Sequence, residues 1–354
     1  MATLSQPHAA QTNRPSAQAG YPAASPRFDW LMTGLSTLFM AGLWIDAWAH
    51  FHGQVDDSFF TPWHFLFYSA FGLVALFLGY HQVQNTRRGY AFTRALPPGY
   101  WLSLMGVALF AVGGLGDMIW HTLFGIESGS EALTSPTHLL LALGMALVFS
   151  GPLRSALSRS DSRQMRGWGQ LAPALIVSTL LFTLLTFFIS YTYPLVEPVA
   201  ARLFGSGRVI ELRQDGGVLG IIAAGAIMSA FLVLLLGRWR LPFGAVTLLL
   251  TGNAVLLVIL NDFFVLIPAA VITGLLADAL LLRWQPISAA RLYALTFLVP
   301  VVYFIGYFIT VQQVAGIAWS IHVWTGATFL AGVAGVLVSL LAVHGPRLES
   351  PTGR

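Results

Sequence analysis

Cysteine is absent from the 354 residues. That excludes structural disulfides, thiolate metal sites and cysteine nucleophiles, so any metal must be held by His, Asp, Glu or Met. Lysine is absent too, and all 18 basic residues are arginine. Charge of either sign is scarce, at 9% of the chain against roughly 25% in a soluble domain. Alternating strands of about ten residues, the mark of an outer-membrane barrel, are also missing. Continuous apolar sequence fills the chain instead: 56% of residues are hydrophobic and the mean hydropathy is +0.73. Apolar runs of about 20 residues match the roughly 30 Å of a bilayer core. The composition therefore defines an all-α integral membrane protein whose first partner is the lipid bilayer. The net charge of +4 and pI near 9.6 belong to basic loops on one membrane side, and no nucleic-acid partner is expected.

Residues 1–28, rich in Ala, Ser, Pro and Gln, lack the apolar stretch of a signal peptide and read as a disordered cytoplasmic tail. Ten spans are expected, near 30–50, 61–82, 100–122, 135–153, 170–192, 216–237, 241–260, 262–282, 291–310 and 317–343. They divide into a four-helix unit over 29–153, a cytoplasmic loop over 154–169, further membrane helices over 170–343 and a cytoplasmic tail over 344–354. Arginines collect in alternate connections, from Arg14 and Arg27 through Arg87, Arg88 and Arg94 to Arg347 and Arg354, so that 15 of 18 lie on one side. By the positive-inside rule this polytopic bundle of about ten transmembrane helices sits in the cell (inner) membrane with both termini cytoplasmic. Asp56, Asp57, Glu127 and Glu131 then make the opposite mouth acidic.

One pattern occurs twice. Residues 42–64 read GLWIDAWAHFHGQVDDSFFTPWH and residues 114–138 read GLGDMIWHTLFGIESGSEALTSPTH. Each copy has Asp, three residues, His, an acidic polar loop, then Ser or Thr, Pro, any residue and His. The two aspartates are 71 residues apart, so each copy is one helical hairpin of an internal repeat. Residues i and i+4 are about 40° apart around a helix and about 6 Å apart along it, which puts Asp46 with His50 and Asp117 with His121 on one face. Thr61-Pro62 and Ser135-Pro136 read as an N-cap followed by proline at the first helical position. His64 and His138 then stand in the first turn of the returning helix, near the extracytoplasmic boundary. A helix N-terminus favours neutral imidazole, the form that ligates metal, and a cation offsets the cost of a carboxylate in low dielectric. Each hairpin thus offers a candidate metal site: Asp46, His50 and His64 in the first, Asp117, His121 and His138 in the second. Two simpler readings compete, a hydrogen bond that locks each hairpin and an Asp-His proton relay.

These six residues, within a stretch of about 30–152, resemble the copper-binding membrane helices of the C subunit of particulate methane and ammonia monooxygenases. That family carries an Asp-His-His set and an Asn-His-His set on successive hairpins. The resemblance implies that Asp46, His50 and His64 match the first set and Asp117, His121 and His138 the second, with Asp117 in place of the amide. It implies copper as cofactor, a monooxygenase that hydroxylates methane, ammonia or a short alkane, and Asp117, His121 and His138 as the catalytic centre. Other monooxygenase subunits, or further copies of this chain, are the partners it implies. Zinc or iron also suits two imidazoles and a carboxylate. The alternative function is membrane metal handling, in transport, sensing or assembly of copper or zinc.

Other polar residues have plainer expectations. His52, Glu127 and Glu131 are expected to be solvated loop groups, and Trp44, Trp48, Trp63 and Trp120 an interfacial aromatic belt. Asp278 is expected to pair with Arg283 one turn on, and His322 to be a buried, hydrogen-bonded histidine. Met40, Met118 and Met145 are expected to pack.

Overall fold

A computed structural model describes residues 18–54, 61–125, 127, 129–202 and 208–344, with the side chains of 208–212 left aside. Twelve helices account for most of these residues: α1 (Pro26–Phe51), α2 (Pro62–Arg87), α3 (Trp101–Phe124), α4 (Glu131–Thr134), α5 (Pro136–Phe149), α6 (Gly151–Ser158), α7 (Gly167–Phe187), α8 (Arg208–Leu236), α9 (Ala245–Val258), α10 (Ile267–Trp284), α11 (Ala289–Val314) and α12 (Ile321–His344). Among the described residues nine helices are long and apolar enough to cross a membrane, α5 and α6 counting as one run over Pro136–Ser158. The expected tail is shorter than 28 residues: residues 1–17 lie outside the described residues, Gln18 N–H donates to the Gly89 carbonyl at 3.0 Å, and α1 begins at Pro26 behind the N-cap Ser25.

The seventh expected span, 241–260, differs most. Its helix, α9, has only 14 residues, about 21 Å, shorter than the roughly 30 Å of a bilayer core, and its free end groups need partners. Side chains from elsewhere supply them. Asp278 accepts from Val246 N–H at 3.1 Å, Thr247 N–H at 2.9 Å and the Thr247 hydroxyl at 2.7 Å, while the Trp44 indole N–H donates to the Leu256 carbonyl. Asp278 therefore caps α9 rather than pairing with Arg283, because Gly244 at the N-cap has no side chain to offer. Trp44 leaves the expected aromatic belt for the same reason: it is buried, and its ring packs on Phe187 of α7.

Contacts between helix ends define two opposite faces. On one, Tyr100 at the start of α3 donates to Asp29 in the first turn of α1 at 2.7 Å, Arg154 of α6 donates to the Gly99 carbonyl at 2.8 Å, and Arg238 after α8 donates to the Leu157 carbonyl at 3.1 Å. The end of α12 joins this face through His344 and Tyr293 at 3.2 Å. On the other face His52, after α1, meets Asp262, between α9 and α10, at 3.2 Å, and Asn261 donates to the Val196 carbonyl at 2.8 Å. Most of the arginines belong to the first face. Both candidate triads belong to the second.

Close approach of small residues sets the helix spacing, as in other membrane bundles where lipid removes most of the hydrophobic drive between helices. A Cβ on Gly106 of α3 would lie 2.6 Å from the Gly144 carbonyl oxygen of α5, and one on Gly144 would lie 2.9 Å from that of Gly106. The same device recurs beside the triads. A Cβ on Gly42 of α1 would lie 2.9 Å from Phe67 Cα of α2, and one on Gly113 of α3 would lie 3.2 Å from Leu141 N of α5. Each glycine stands four residues before its aspartate and meets a residue three beyond its returning histidine. The repeat therefore extends to the contact that holds the two halves of each hairpin together.

Candidate metal centre

The first triad is built from the last two turns of α1 and the first turn of α2. Asp46 and His50 project from one face of α1 near its end, and Thr61 caps α2 by accepting from His64 N–H at 3.1 Å. That cap, with Pro62 at the first position, turns His64 back toward α1, where its Nε2 lies 3.5 Å from Asp46 Oδ2. The His50 and His64 rings are 5.9 Å apart. The second triad repeats the construction on α3 and α5: Ser135 caps α5, Pro136 follows, and His138 Nε2 lies 3.3 Å from Asp117 Oδ1 while His121 Nε2 lies 3.4 Å from Asp117 Oδ2. In each triad one ligand atom from each residue lies within 4.8 Å of the others. The sequence-predicted residues thus come together as two groups of three.

These separations suit a metal. The three carboxylate–imidazole pairs lie 3.3–3.5 Å apart, beyond the commonest hydrogen-bond distance of about 2.9–3.0 Å. Four ligands about 2.1 Å from a tetrahedral metal are about 3.4 Å from one another. In the second triad the outer nitrogens are already engaged. His138 Nδ1 is 2.8 Å from Ser135 Oγ; His121 Nδ1 is 3.3 Å from the Gly125 carbonyl and 3.1 Å from Glu127 Oε2. With Nδ1 as the donor to those oxygens, each Nε2 turns a lone pair toward the carboxylate, the form of imidazole that ligates a metal. In the first triad Asp46 Oδ1 is buried and finds no hydrogen-bond partner among the described residues. A metal fits the donor set at both places.

Several residues outside the six belong to the site. Thr137 donates its hydroxyl to Asp117 Oδ1 at 2.9 Å, and Glu127, expected as a solvated acid, is tucked against His121. Tyr68 of α2, one turn beyond His64, lies against Gly114 of α3, where a Cβ would meet its ring at 2.8 Å. It stands within electrostatic reach of both Asp46 and Asp117. His50 is likewise within reach of His121, His138 and Asp117, so the two triads are neighbours. Thr137 and Tyr68 carry a sequence signal only in hindsight, each being one turn or less from a ligand.

Other expectations fare variously. His52 is not simply solvated: Nδ1 meets the Trp48 carbonyl at 2.9 Å and Nε2 meets Asp262. His322, expected to be buried, is exposed in the first turn of α12. Trp63 donates to the Gln54 carbonyl at 3.0 Å and Trp120 packs on Phe124. Met40 and Met145 are buried packing residues, and Met118 is half-buried. Asp56 and Asp57 lie outside the described residues. No protein-family model matches the chain, and no curated protein or solved structure matches it.

Proposed function

We propose that the two triads are metal sites and that the chain is a copper-dependent membrane monooxygenase-like protein, or the membrane subunit of one, hydroxylating a small substrate such as methane, ammonia or a short alkane. One observation carries the metal reading: twice, a carboxylate and two imidazoles converge so that one ligand atom of each lies within 4.8 Å of the others. Copper and the oxygen chemistry come from the resemblance of the hairpins; the donor set alone also suits zinc or iron. When bound, copper supplies one-electron chemistry toward dioxygen. The protein's part is to balance charge with Asp117, to aim His121 through Gly125 and Glu127, and to aim His138 through Ser135. Asp46, His50 and His64 do the same at the neighbouring site. Arginine asymmetry supports a cytoplasmic first face and an extracytoplasmic position for the metals.

A second reading, metal handling, is favoured by the position of both triads at one end of the bundle. Metal analysis of protein purified without added metal separates the outcomes. Two equivalents are expected in the wild type and one in each of His121→Ala and His50→Ala. A wild type without stoichiometric metal sinks both readings. Oxygen consumption with a hydrocarbon or ammonia that disappears in His121→Ala supports the oxidoreductase; metal uptake into vesicles that changes in the variants, without oxygen consumption, supports metal handling.

A further inference from the structure

The opposite face carries a cavity of about 640 Å³ that the metal sites do not explain. Its walls are the segment before α1, the first turns of α1, the last turns of α2 and the turn leading to α3. Three basic residues line it, Arg27, His81 and Arg88, together with Gln18, Gln84 and Asn85, and no acidic residue does. Among the described residues neither Arg27 nor Arg88 meets a carboxylate, and residues 1–17 contain no Asp or Glu to reach them. Among the described residues the Arg88 guanidinium donates to the Asn85 side-chain oxygen at 3.5 Å.

Below the basic mouth the lining turns apolar, with Phe28, Leu31 and Phe77. Phe28 and Phe77 pack against each other with tilted rings 4.9 Å apart. Leu31 is exposed, and Leu38, two turns further along α1, is exposed too and continues the apolar strip. Trp30 and Tyr80, chain neighbours of the lining residues Leu31 and His81, are exposed and are of the residue types that settle at headgroup depth. The outer wall is pinned rather than loose: Gln18 bonds Gly89, and Tyr21 lies under the Arg94 guanidinium at 5.7 Å.

A cationic mouth at headgroup depth over an apolar groove selects an amphiphile with a negative head. We propose that this cavity is a binding site for an anionic phospholipid, whose phosphate sits between Arg27, Arg88 and His81 and whose acyl chain follows Phe28, Leu31 and Phe77 into the bilayer. Guanidinium is the cation best matched to phosphate oxygens. The site is independent of the metal reading, since it shares no residue with either triad.

The test uses the full chain in neutral detergent, titrated with phosphatidylglycerol and read by native mass spectrometry. One phosphatidylglycerol is expected to stay bound through detergent exchange. Arg27→Gln with Arg88→Gln should weaken it roughly 30-fold, the product of about fivefold from each arginine at the membrane surface. The charge-matched pair Arg163→Gln with Arg283→Gln, on the same face but outside the cavity, should leave it unchanged. Equal retention of phosphatidylcholine, equal loss in both double variants, or displacement by equimolar inorganic phosphate overturns the proposal, the last pointing to a free anion as the ligand. Should the first double variant not fold, a photoreactive phosphatidylglycerol on the wild type decides: adducts on Leu31 and Phe77 support the site, and adducts scattered over other lipid-facing helices refute it.

Discussion

Gly42→Ala disturbs the first metal site while leaving all of its ligands in place. The new Cβ would lie 2.9 Å from Phe67 Cα, 3.4 Å from Phe67 N and 3.5 Å from the Leu66 carbonyl oxygen. All three are backbone atoms, so no side chain can swing aside and the helices themselves must part, by about 0.5 Å, to reach ordinary contact. Asp46 is one turn beyond Gly42 and His64 is one turn before Phe67, so the movement falls on the 3.5 Å gap between their ligand atoms. Metal–ligand distances tolerate only about 0.2 Å. Overpacking of this kind costs about 1–3 kcal/mol, and where the bound site bears that cost the affinity falls roughly 5- to 150-fold. Gly113→Ala is the internal comparison: its Cβ would lie 3.2 Å from the nearest atoms of Leu141, needing a shift of only about 0.2 Å, within the tolerance. It should weaken the second site little. Gly72→Ala, which meets open space, should do nothing. The assay is titration of metal-free protein against a competing chelator in a His121→Ala background, which isolates the first site, with the melting temperature recorded for every variant. If Gly42→Ala in that background binds metal as tightly as its parent, the glycine contact does not set the site's width and the reasoning fails.

Thr137→Val keeps the shape of the side chain and removes the hydroxyl that donates to Asp117 at 2.9 Å; a loss of about 10- to 100-fold at the second site is expected, and an equal loss at both sites in the chelator titration would contradict it. Asp278→Ala strips the N-terminus of α9 of its three acceptor contacts and should cost about 2–4 kcal/mol of stability, seen as a lower melting temperature; Arg283→Gln should barely shift it, and the reverse order would restore the ion pair expected from sequence. His52 titrates above its ordinary value near 6.5, raised first by its bond to the Trp48 carbonyl and then by Asp262. A group raised on folding stabilises fully below its unfolded value and loses that contribution as pH climbs through the folded one. Melting temperatures of wild type and Asp262→Asn should therefore differ at pH 6 and converge at alkaline pH, and a difference that grows with pH would refute the assignment.

What could be read from the sequence followed from local rules. Ligand positions were legible because helical periodicity, N-cap chemistry and proline at the first helical position act within a turn, and Thr61, Pro62, Ser135 and Pro136 fixed where His64 and His138 would fall. The bundle was legible because apolar length needs no partner to interpret. Tertiary choices were not. Nothing near Trp44 signals that its N–H serves a carbonyl 212 residues away, and Asp278 has a nearby arginine that makes the wrong partner look sufficient. The shortness of α9 was hidden because residues 241–260 are apolar throughout; hydropathy sees composition, whereas helix ends are set by where caps can be supplied from neighbours. His322 misled for a similar reason, since a polar residue opening an apolar helix is buried only if the bundle closes over it, and here it does not.

The two triads share a plan but differ in preparation, and the difference bears on how they would fill. Around the second, Thr137 holds Asp117 and Ser135, Gly125 and Glu127 hold the imidazoles, so ligand orientation is fixed before any ion arrives and little ordering remains to oppose binding. Among the described residues Asp46 Oδ1 in the first site and both carboxylate oxygens of Glu127 beside the second are buried without a hydrogen-bond partner, a desolvation cost that a bound cation would relieve. Preorganisation therefore favours the second site as the tighter one. Because His50 lies within electrostatic reach of Asp117, His121 and His138, a cation in either site repels a second. Filling should therefore be sequential, Asp117, His121 and His138 first, with the second equivalent bound more weakly than isolated Asp46, His50 and His64 would hold it. Wild-type titration against the His121→Ala variant reads that difference directly: a first site that binds no tighter when its neighbour is disabled would mean that the two triads act independently.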